Sequence, residues 1–249
     1  MFYKQRMNIN EFSPVLIKKI DPKDARKLCS LSVNNNKAGA LNVQIREDDY
    51  GNGYRFITEL KNKCDKLLGK EVFTLVDNVP ECTGLNIIVE PEYRNRHYYF
   101  GEILRLTSII EMLENKIKTF EIYSKDSAVF FHSKFKFEPA IKTYNDRDYA
   151  LNTVINNKSG KYVDFRRRAL ALLNATQRRP NDKNYQRELC KKTNILLKEY
   201  IQRILRKHGE YKHHPFNNGM RMVLTDQNIL KNKEFFNGLF RKHGIDYQI

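Results

Sequence analysis

Apolar positions recur with two periods along the chain, and the clearest succession of elements lies near its middle. Leu85–Val89 is a short apolar run closed by Pro91, which favours a buried strand over a helix. From about Phe100 to Lys116, apolar residues recur every three or four positions, which predicts an amphipathic helix. Phe120–Tyr123 is a second short strand, and a second helix follows it. This order predicts a right-handed crossover between two parallel strands.

The same pattern predicts further elements on both sides of this stretch. Strands are predicted at Val15–Ile20, Leu41–Ile45, Val72–Val76, Ile141–Tyr144 and Met222–Leu224. Helices are predicted from Pro22 to about Val33 and over Phe56–Leu68, Tyr162–Gln177, Tyr185–Lys207 and Asp226–His243, with an extended piece at Ile245–Ile249. The predicted fold class is α/β, with a mixed central sheet and helices on both of its faces in the first 150 residues.

Charge is distributed unevenly along the chain. The formal net charge is +16, and residues 141–249 carry 23 lysines and arginines against 10 aspartates and glutamates. With the loop at 156–160 as a boundary, we predict an α/β domain at 1–156 and a basic, mainly helical extension at 157–249. Tyr185, Tyr200 and Tyr211 lie among the cations, where they are candidates for stacking on bases. RNA or an acidic protein is the candidate partner, and a merely solvated basic surface is the alternative.

Composition excludes several classes of protein. Hydrophobic content of 41% is that of a folded chain and not of a disordered one. No apolar run approaches the roughly 18 residues of a membrane-spanning helix, and the first residues lack the apolar core of a signal peptide. The four cysteines form no C-x-x-C pair, so neither a zinc site nor a disulfide framework is predicted. The expectation is a cytoplasmic protein without a metal.

Three segments of the central stretch carry the pattern of a known family. They read VEPEYR at Val89–Arg94, GEIL at Gly101–Leu104 and AVFFHSKFKFEP at Ala128–Pro139. In these segments the chain resembles the GNAT N-acetyltransferase superfamily. The first segment resembles the end of the family's fourth strand and its entry into the loop that holds the pyrophosphate of coenzyme A. The last resembles the family's A-x-x-x-Y-x-K-x-G-F helix and the strand after it.

The resemblance implies acetyl-coenzyme A as cosubstrate and an amine as acceptor. The residues that it implies in cofactor binding are Ile87, Val89, Arg94, Arg96, Tyr98, Tyr99, Gly101, Glu102 and Ser124. His132 stands where the family's tyrosine protonates the leaving thiolate, a role that an imidazole can fill near pH 7. Glu90 or Glu92, at the end of the strand, is the candidate base for the amine. Each also has a purely structural alternative. Ile87 and Val89 are core residues in any fold, the two arginines are solvated, and His132 is a surface or capping histidine. Either glutamate is a simple ion-pair partner of Arg94 or Arg96, which contributes little if exposed.

The predicted phosphate loop departs from the family pattern R/Q-x-x-G-x-G/A. Counted from Arg94, its glycine positions are His97 and Tyr99. Counted from Arg96, they are Tyr99 and Gly101, so one glycine is kept. Glycines matter there because backbone N–H groups must come close to phosphates at a helix N-terminus.

Two further departures leave a second hypothesis open. The glycine that precedes Phe137 in the family pattern is Lys136 here. The family also expects an antiparallel meander before Leu85, which the predicted helix at Phe56–Leu68 interrupts. The competing hypothesis is therefore a binding module without catalytic activity, which keeps the fold and uses the basic extension to contact RNA or an acidic protein.

Overall fold

The computed structural model describes residues 29–35, 37–49, 53–76, 81–94, 98–124, 128–157, 159–208 and 219–249. Within them the chain is mixed α/β, with eight strands and seven α-helices. The strands are β1 Cys29–Asn35, β2 Gly39–Asp49, β3 Gly53–Asn62, β4 Leu67–Val76, β5 Glu81–Val89, β6 Thr119–Ser124, β7 Glu138–Pro139 and β8 Met220–Thr225. The helices are α1 Phe100–Glu114, α2 Ala128–Lys134, α3 Tyr144–Ile155, α4 Val163–Thr176, α5 Lys183–His208, α6 Asp226–Lys231 and α7 Lys233–Lys242.

The chain divides into two compact units. The first combines Met1–Lys118 with Leu230–Ile249, and the second is Thr119–Ile229. The boundary predicted between residues 156 and 157 falls inside the second unit and stays a prediction. The parallel pairing predicted for Phe120–Tyr123 and Ile87–Val89 joins residues of different units and also stays a prediction.

An antiparallel meander of β1 to β5 forms the sheet of the first unit. The helix predicted at Phe56–Leu68 is wrong, because β3 and β4 form a hairpin there. Phe56, Thr58 and Leu60 are buried while their neighbours are half-buried, which is the two-residue period of a strand. The side chain of Asn62 fixes the turn by accepting hydrogen bonds from the N–H groups of Cys64 and Lys66, at 2.9 and 3.0 Å.

Helix α1 lies against this meander and contacts β3, β4 and β5. Its prediction is confirmed, and Ile103, Leu106 and Ile110 are fully buried. The helix predicted up to Val33 is wrong over its last residues, because β1 begins at Cys29. The start of that helix and the strand predicted at Val15–Ile20 lie outside the described residues.

The C-terminal residues complete the first unit. One helix was predicted over Asp226–His243, whereas the structure has α6 and α7 with a break at Asn232. After α7, Ile245 forms a bridge to Val33 of β1, and the extended piece predicted there is confirmed at this residue alone. Gly244 has φ +68, and a Cβ on it would lie 2.1 Å from the carbonyl oxygen of Asn34, so only glycine fits.

The second unit contains a smaller antiparallel sheet, in which β8 pairs with both β6 and β7. The strand predicted at Ile141–Tyr144 is wrong. Helix α3, which was not predicted, begins at Tyr144 because the Thr143 hydroxyl caps it and accepts from the N–H of Asp146 at 3.2 Å. The predicted helices at Tyr162–Gln177 and Tyr185–Lys207 are confirmed as α4 and α5.

Of the three tyrosines predicted as candidates for stacking on bases, the structure describes Tyr185 and Tyr200. Tyr200 is 2% exposed and its hydroxyl accepts from Asn157 Nδ2 at 2.6 Å, so its predicted stacking role is wrong. Tyr185 is half-buried, with the Arg179 guanidinium 5.6 Å from the centre of its ring. Tyr211 lies outside the described residues.

Candidate cofactor-binding site

Strand β5 is irregular at its centre. Gly84 faces Phe73 and Asn86 faces Val72 in the ladder with β4, so Leu85 between them has no opposite residue. This is a β-bulge, and the side chain of Leu85 is 52% exposed. A bulge changes the direction in which a strand presents its backbone groups. The backbone groups of β5 after Leu85 therefore point in a different direction from those before it.

The end of β5 approaches its neighbours very closely. Gly69 of β4 faces Val89, and a Cβ on Gly69 would lie 2.7 Å from the carbonyl oxygen of Ile88 and 3.2 Å from Leu104 Cδ1. Only glycine allows this approach without a shift of the backbone. This close approach at Gly69 fixes the position of the strand end against α1. Ile87 and Val89 at this end are half-buried.

The chain turns sharply after β5. The N–H of Glu90 donates to the carbonyl of Leu68 at 3.0 Å, and a single 3-10 turn follows at Pro91–Tyr93. Arg94 folds back over this turn, because its Nε donates to the carbonyl oxygen of Val89 at 2.7 Å. The residue is otherwise exposed. Arg96, the second predicted phosphate ligand, lies outside the described residues.

The two candidate bases differ in their surroundings. Glu92 is about half exposed and forms an ion pair with Lys66, with 2.6 Å between Oε1 and Nζ. An exposed pair of this kind contributes little to stability. Glu90 is half-buried at the strand end, and no ion pair of Glu90 is found among the described residues.

Aromatic rings pack the loop in front of α1. The rings of Tyr98 and Phe100 are stacked at 5.2 Å between centroids, and Tyr93 meets Tyr98 edge-on at 5.9 Å. The carbonyl of Tyr98 accepts from Asn35 Nδ2 at 3.0 Å. The ring of Tyr98 is therefore part of the loop's own packing.

Tyr99 is the N-cap of α1 and has φ 60, in the left-handed region. Its carbonyl accepts from the N–H groups of Glu102 and Ile103, at 2.9 and 3.1 Å, which starts the helix. The N–H groups of Phe100 and Gly101 come before the first intrahelical hydrogen bond. A helix start with such groups carries a partial positive charge that favours anions.

The C-terminal segment supplies a cluster beside this helix start that the sequence did not predict. His243 Nε2 lies 2.8 Å from Glu102 Oε2, and Lys242 Nζ lies 3.6 Å from the same oxygen. Lys242 Nζ also lies 4.7 Å from the centre of the Tyr99 ring, and the imidazole of His243 meets that ring edge-on. Glu102 is thus held by the C-terminal segment. No sequence signal links residues 141 positions apart.

A buried ion pair lies beneath the middle of β5. Arg105 Nη1 of α1 is 2.8 Å from Glu71 Oε1 of β4, and both side chains are almost fully buried. Glu71 is directly opposite Ile87 in the ladder. Burial raises the pKa of the Glu71 carboxyl to about 7, although the positive charge of Arg105 acts against this shift. Burial also lowers the pKa of Arg105 and raises the pKa of the Cys82 thiol.

The predicted site residues are distributed over both units. The first unit brings together the residues of one strand–loop–helix segment, namely Ile87, Val89, Glu90, Glu92, Arg94, Tyr98, Tyr99, Gly101 and Glu102. The second unit holds His132 and Ser124. His132 is 8% exposed and its ring meets the rings of Phe131 and Phe137 edge-on, at 5.1 and 5.7 Å. Ser124 is 1% exposed at the end of β6.

Helix α2 ends in a Schellman motif that contains Lys136, which stands at a glycine position of the family pattern. The N–H of Phe137 donates to the carbonyl of His132 at 3.3 Å, and the N–H of Lys136 donates to the carbonyl of Ser133 at 3.1 Å. The position of Lys136 in this motif usually holds glycine, because the residue there adopts a left-handed conformation. Lys136 has φ 63.

Tyr99 and Lys136, the two described positions at which a side chain replaces a glycine of the family pattern, both have a positive φ. Among the described residues, four that are not glycine have positive φ: Asp65, Tyr99, Lys116 and Lys136. Two of the four, Tyr99 and Lys136, stand where the family pattern has glycine. The backbone takes a glycine-like conformation at both positions although each carries a side chain, and each accepts a cost of about 1–2 kcal/mol for it.

Comparisons with known proteins give structural neighbours at low similarity. No protein-family model and no curated protein sequence matches the chain. A GNAT-family acetyltransferase from Staphylococcus aureus matches at a TM-score of 0.32 and 21% identity, over 35% of this chain and 56% of the other. The PaiA N-acetyltransferase of Thermoplasma acidophilum, solved in complex with coenzyme A, matches at a TM-score of 0.30 and 17% identity, over 36% and 55% of the two chains.

A longer match covers 71% of this chain. It is a tandem GNAT protein from the clavulanic acid biosynthesis pathway, of which 84% is covered at a TM-score of 0.37 and 10% identity. The first two matches cover less than two thirds of the other protein's length. All three TM-scores are under 0.5.

Two further features of the described residues bear on the site. They contain no cluster of three or more histidine, cysteine or acidic side chains arranged for a metal ion. Among the helices in the described part of the chain, none is both long and apolar enough to span a bilayer.

Proposed function

We propose that the segment from β5 to α1 binds coenzyme A and that the chain is an acetyl-coenzyme A-dependent N-acetyltransferase with a GNAT-like fold. The observation that carries this proposal is the left-handed backbone of Tyr99 and Lys136. These are positions where the family pattern requires glycine and where this sequence has none. Such geometry costs free energy for a residue with a side chain, so its presence at both positions supports the family resemblance independently of residue identity.

The residues at the start of α1 fit a pyrophosphate group. Phe100 and Gly101 have N–H groups that precede the helix's own hydrogen bonds, and the helix start favours anions. Arg94 is exposed and adds a positive charge at the other end of the loop. The carboxylate of Glu102, which would oppose a phosphate, is held by His243 and Lys242.

The half-buried end of β5 would hold the pantetheine arm. Ile87 and Val89 supply backbone groups there, and the bulge at Leu85 sets the direction of this part of the strand. Gly69 keeps the strand end close to α1, so that the arm and the pyrophosphate are bound by one continuous segment.

The reaction needs one base and one acid. The amine nitrogen attacks the thioester carbonyl carbon, a carboxylate takes the proton that the nitrogen loses, and the C–S bond breaks to release a thiolate. We assign the base role to Glu90 in preference to Glu92, because Glu92 is paired with Lys66 at 2.6 Å. We assign the acid role to His132, whose protonated imidazole would convert the thiolate to a thiol.

The first test is the thermal stability of the protein with and without acetyl-coenzyme A. A ligand at 100 times its dissociation constant adds about 2.7 kcal/mol to the free energy of unfolding. Acetyl-pantetheine, which lacks the pyrophosphate, is the matched control and should stabilise the protein much less. The absence of any shift at millimolar acetyl-coenzyme A would contradict the proposal and favour the competing hypothesis of a binding module for RNA or an acidic protein.

The second test separates the two catalytic roles. Glu90→Gln should lower the rate of acetyl transfer to a test amine while leaving coenzyme A affinity unchanged, whereas Glu92→Gln should leave both unchanged. Equal loss of activity in both variants would contradict the assignment of the base to Glu90. His132→Gln should lower the rate most for acceptors whose acetylation is limited by expulsion of the thiolate.

A further inference from the structure

Helix α5 in the second unit has one buried side and one basic side. The buried side faces α3, α4 and β7 and carries Leu189, Leu196, Tyr200 and Ile204. Besides Lys183 at its first position, the helix carries six exposed cations on the rest of its surface: Arg187, Lys191, Lys192, Lys198, Arg203 and Arg206. At a rise of 1.5 Å per residue, the part of the helix from Arg187 to Arg206 is about 28 Å long. These six residues are called the α5 basic face below.

Only part of this charge is neutralised within the protein. Lys191 pairs with Glu188 at 3.7 Å, and Lys198 pairs with Glu138 at 2.5 Å. Glu199, the other exposed acidic residue of the helix, forms an ion pair with Arg168 of α4 at 2.7 Å. In the part of the chain that the structure describes, no carboxylate lies within 4.0 Å of the remaining four cations, which are Arg187, Lys192, Arg203 and Arg206.

The charge of the chain itself argues against an internal or identical occupant of this face. Residues 1–28 carry seven lysines and arginines against three acidic residues, and residues 209–218 carry one lysine and one glutamate. A second copy of the chain also has a formal net charge of +16. The occupant with complementary charge is therefore a polyanion from outside the chain.

We propose that the α5 basic face binds the phosphate backbone of a nucleic acid duplex, without reading its sequence. A duplex carries one negative charge per roughly 1.7 Å of its axis, so cations spread along about 28 Å of an exposed helix surface meet several of its phosphates. Of the two tyrosines of the helix, Tyr200 is buried, and Tyr185 is half-buried with the Arg179 guanidinium 5.6 Å from the centre of its ring. Contacts are therefore made to phosphate and not by stacking on bases. The proposal does not depend on acetyl transfer.

The test is a fluorescence anisotropy titration of the full chain with a labelled 20-base-pair duplex at several salt concentrations. If the four unpaired cations each contact a phosphate, the slope of log K against log salt is about −3.6, so affinity falls about 150-fold between 50 and 200 mM salt. The variant Arg187→Gln/Lys192→Gln/Arg203→Gln/Arg206→Gln should bind at least about tenfold more weakly at 100 mM salt, with a slope close to zero.

A variant with the same change in net charge elsewhere is the matched control. Lys63, Lys231, Lys233 and Arg241 are exposed and belong to the first unit. Changing all four to Gln should leave affinity and salt slope within about threefold and one unit of the wild type. Circular dichroism checks that both variants are folded.

Three results would overturn the proposal. The first is no binding of the duplex at 50 mM salt. The second is an equal loss of affinity in the two quadruple variants, which would mean that net charge and not the α5 basic face is responsible. The third is binding of polyglutamate as tight as that of the duplex, which would favour an acidic protein as the partner.

Discussion

Replacing Lys136 with glycine should stabilise the protein. Lys136 occupies the left-handed position of the Schellman motif that ends α2, with φ 63. A residue with a Cβ pays about 1–2 kcal/mol in this conformation. Glycine avoids that cost but loses about 0.5–1 kcal/mol more conformational entropy on folding. The difference favours Lys136→Gly over Lys136→Ala by about 0.5–1 kcal/mol.

The comparison with alanine isolates the backbone effect, because both variants lose the lysine side chain. Chemical denaturation of the wild type and both variants measures the free energy of unfolding, and the difference corresponds to about 1–4 °C in melting temperature for a chain of this size. Lys116, which ends α1 in the same motif with φ 56, offers a repetition of the experiment in the first unit. A glycine variant no more stable than the alanine variant at both positions would refute the assignment of strain to these residues.

Three further predictions follow from close contacts and from one buried charge. Gly244→Ala should destabilise the protein by more than about 2 kcal/mol in chemical denaturation, because its Cβ would lie 2.1 Å from the Asn34 carbonyl oxygen. Gly69→Ala should cost about 1–3 kcal/mol and weaken coenzyme A binding in a titration, because it displaces the end of β5. The pKa of Glu71 is about 7 when folded and 4.5 as the ordinary value, so the unfolded state releases this proton first as pH rises. The free energy of unfolding should therefore fall by about 3 kcal/mol between pH 4.5 and 7 and level off above. Glu71→Gln should lack this fall, and identical pH profiles of wild type and variant would contradict the shift.

The elements that sequence predicts correctly are those with an unambiguous period. Helices α1, α4 and α5 have apolar residues at three- and four-residue spacing over many turns, and the structure has them within a few residues of the predicted bounds. The β3–β4 hairpin was missed because its apolar positions also fit a helical period. What decides between the two is the burial of Thr58 and the turn made by the Asn62 side chain, and neither is apparent from hydrophobicity.

The candidate site was only partly predictable for a different reason. Residues from Ile87 to Glu102 are contiguous, so one motif indicates them together. Lys242 and His243 reach Glu102 only because the C-terminal segment folds back onto β1 and α1, through the bridge of Ile245 with Val33. Contacts between residues so distant in sequence depend on tertiary packing, and a local pattern carries no information about them.

Whether the segment from β5 to α1 holds coenzyme A is tested most directly by calorimetric titration of coenzyme A into three proteins. These are the wild type, Gly101→Glu and Gly160→Glu. Gly101→Glu places a negative charge and extra bulk at the start of α1, where the pyrophosphate is proposed to bind. Gly160 belongs to the second unit and is exposed, and a Cβ there would meet no atom within 4 Å, so Gly160→Glu makes the same chemical change outside the segment from β5 to α1. We expect equal affinity for wild type and Gly160→Glu and at least a roughly tenfold weaker affinity for Gly101→Glu, a loss of about 1.4 kcal/mol. Equal affinity in all three proteins, or no binding by the wild type, would contradict the assignment of this segment as the cofactor site.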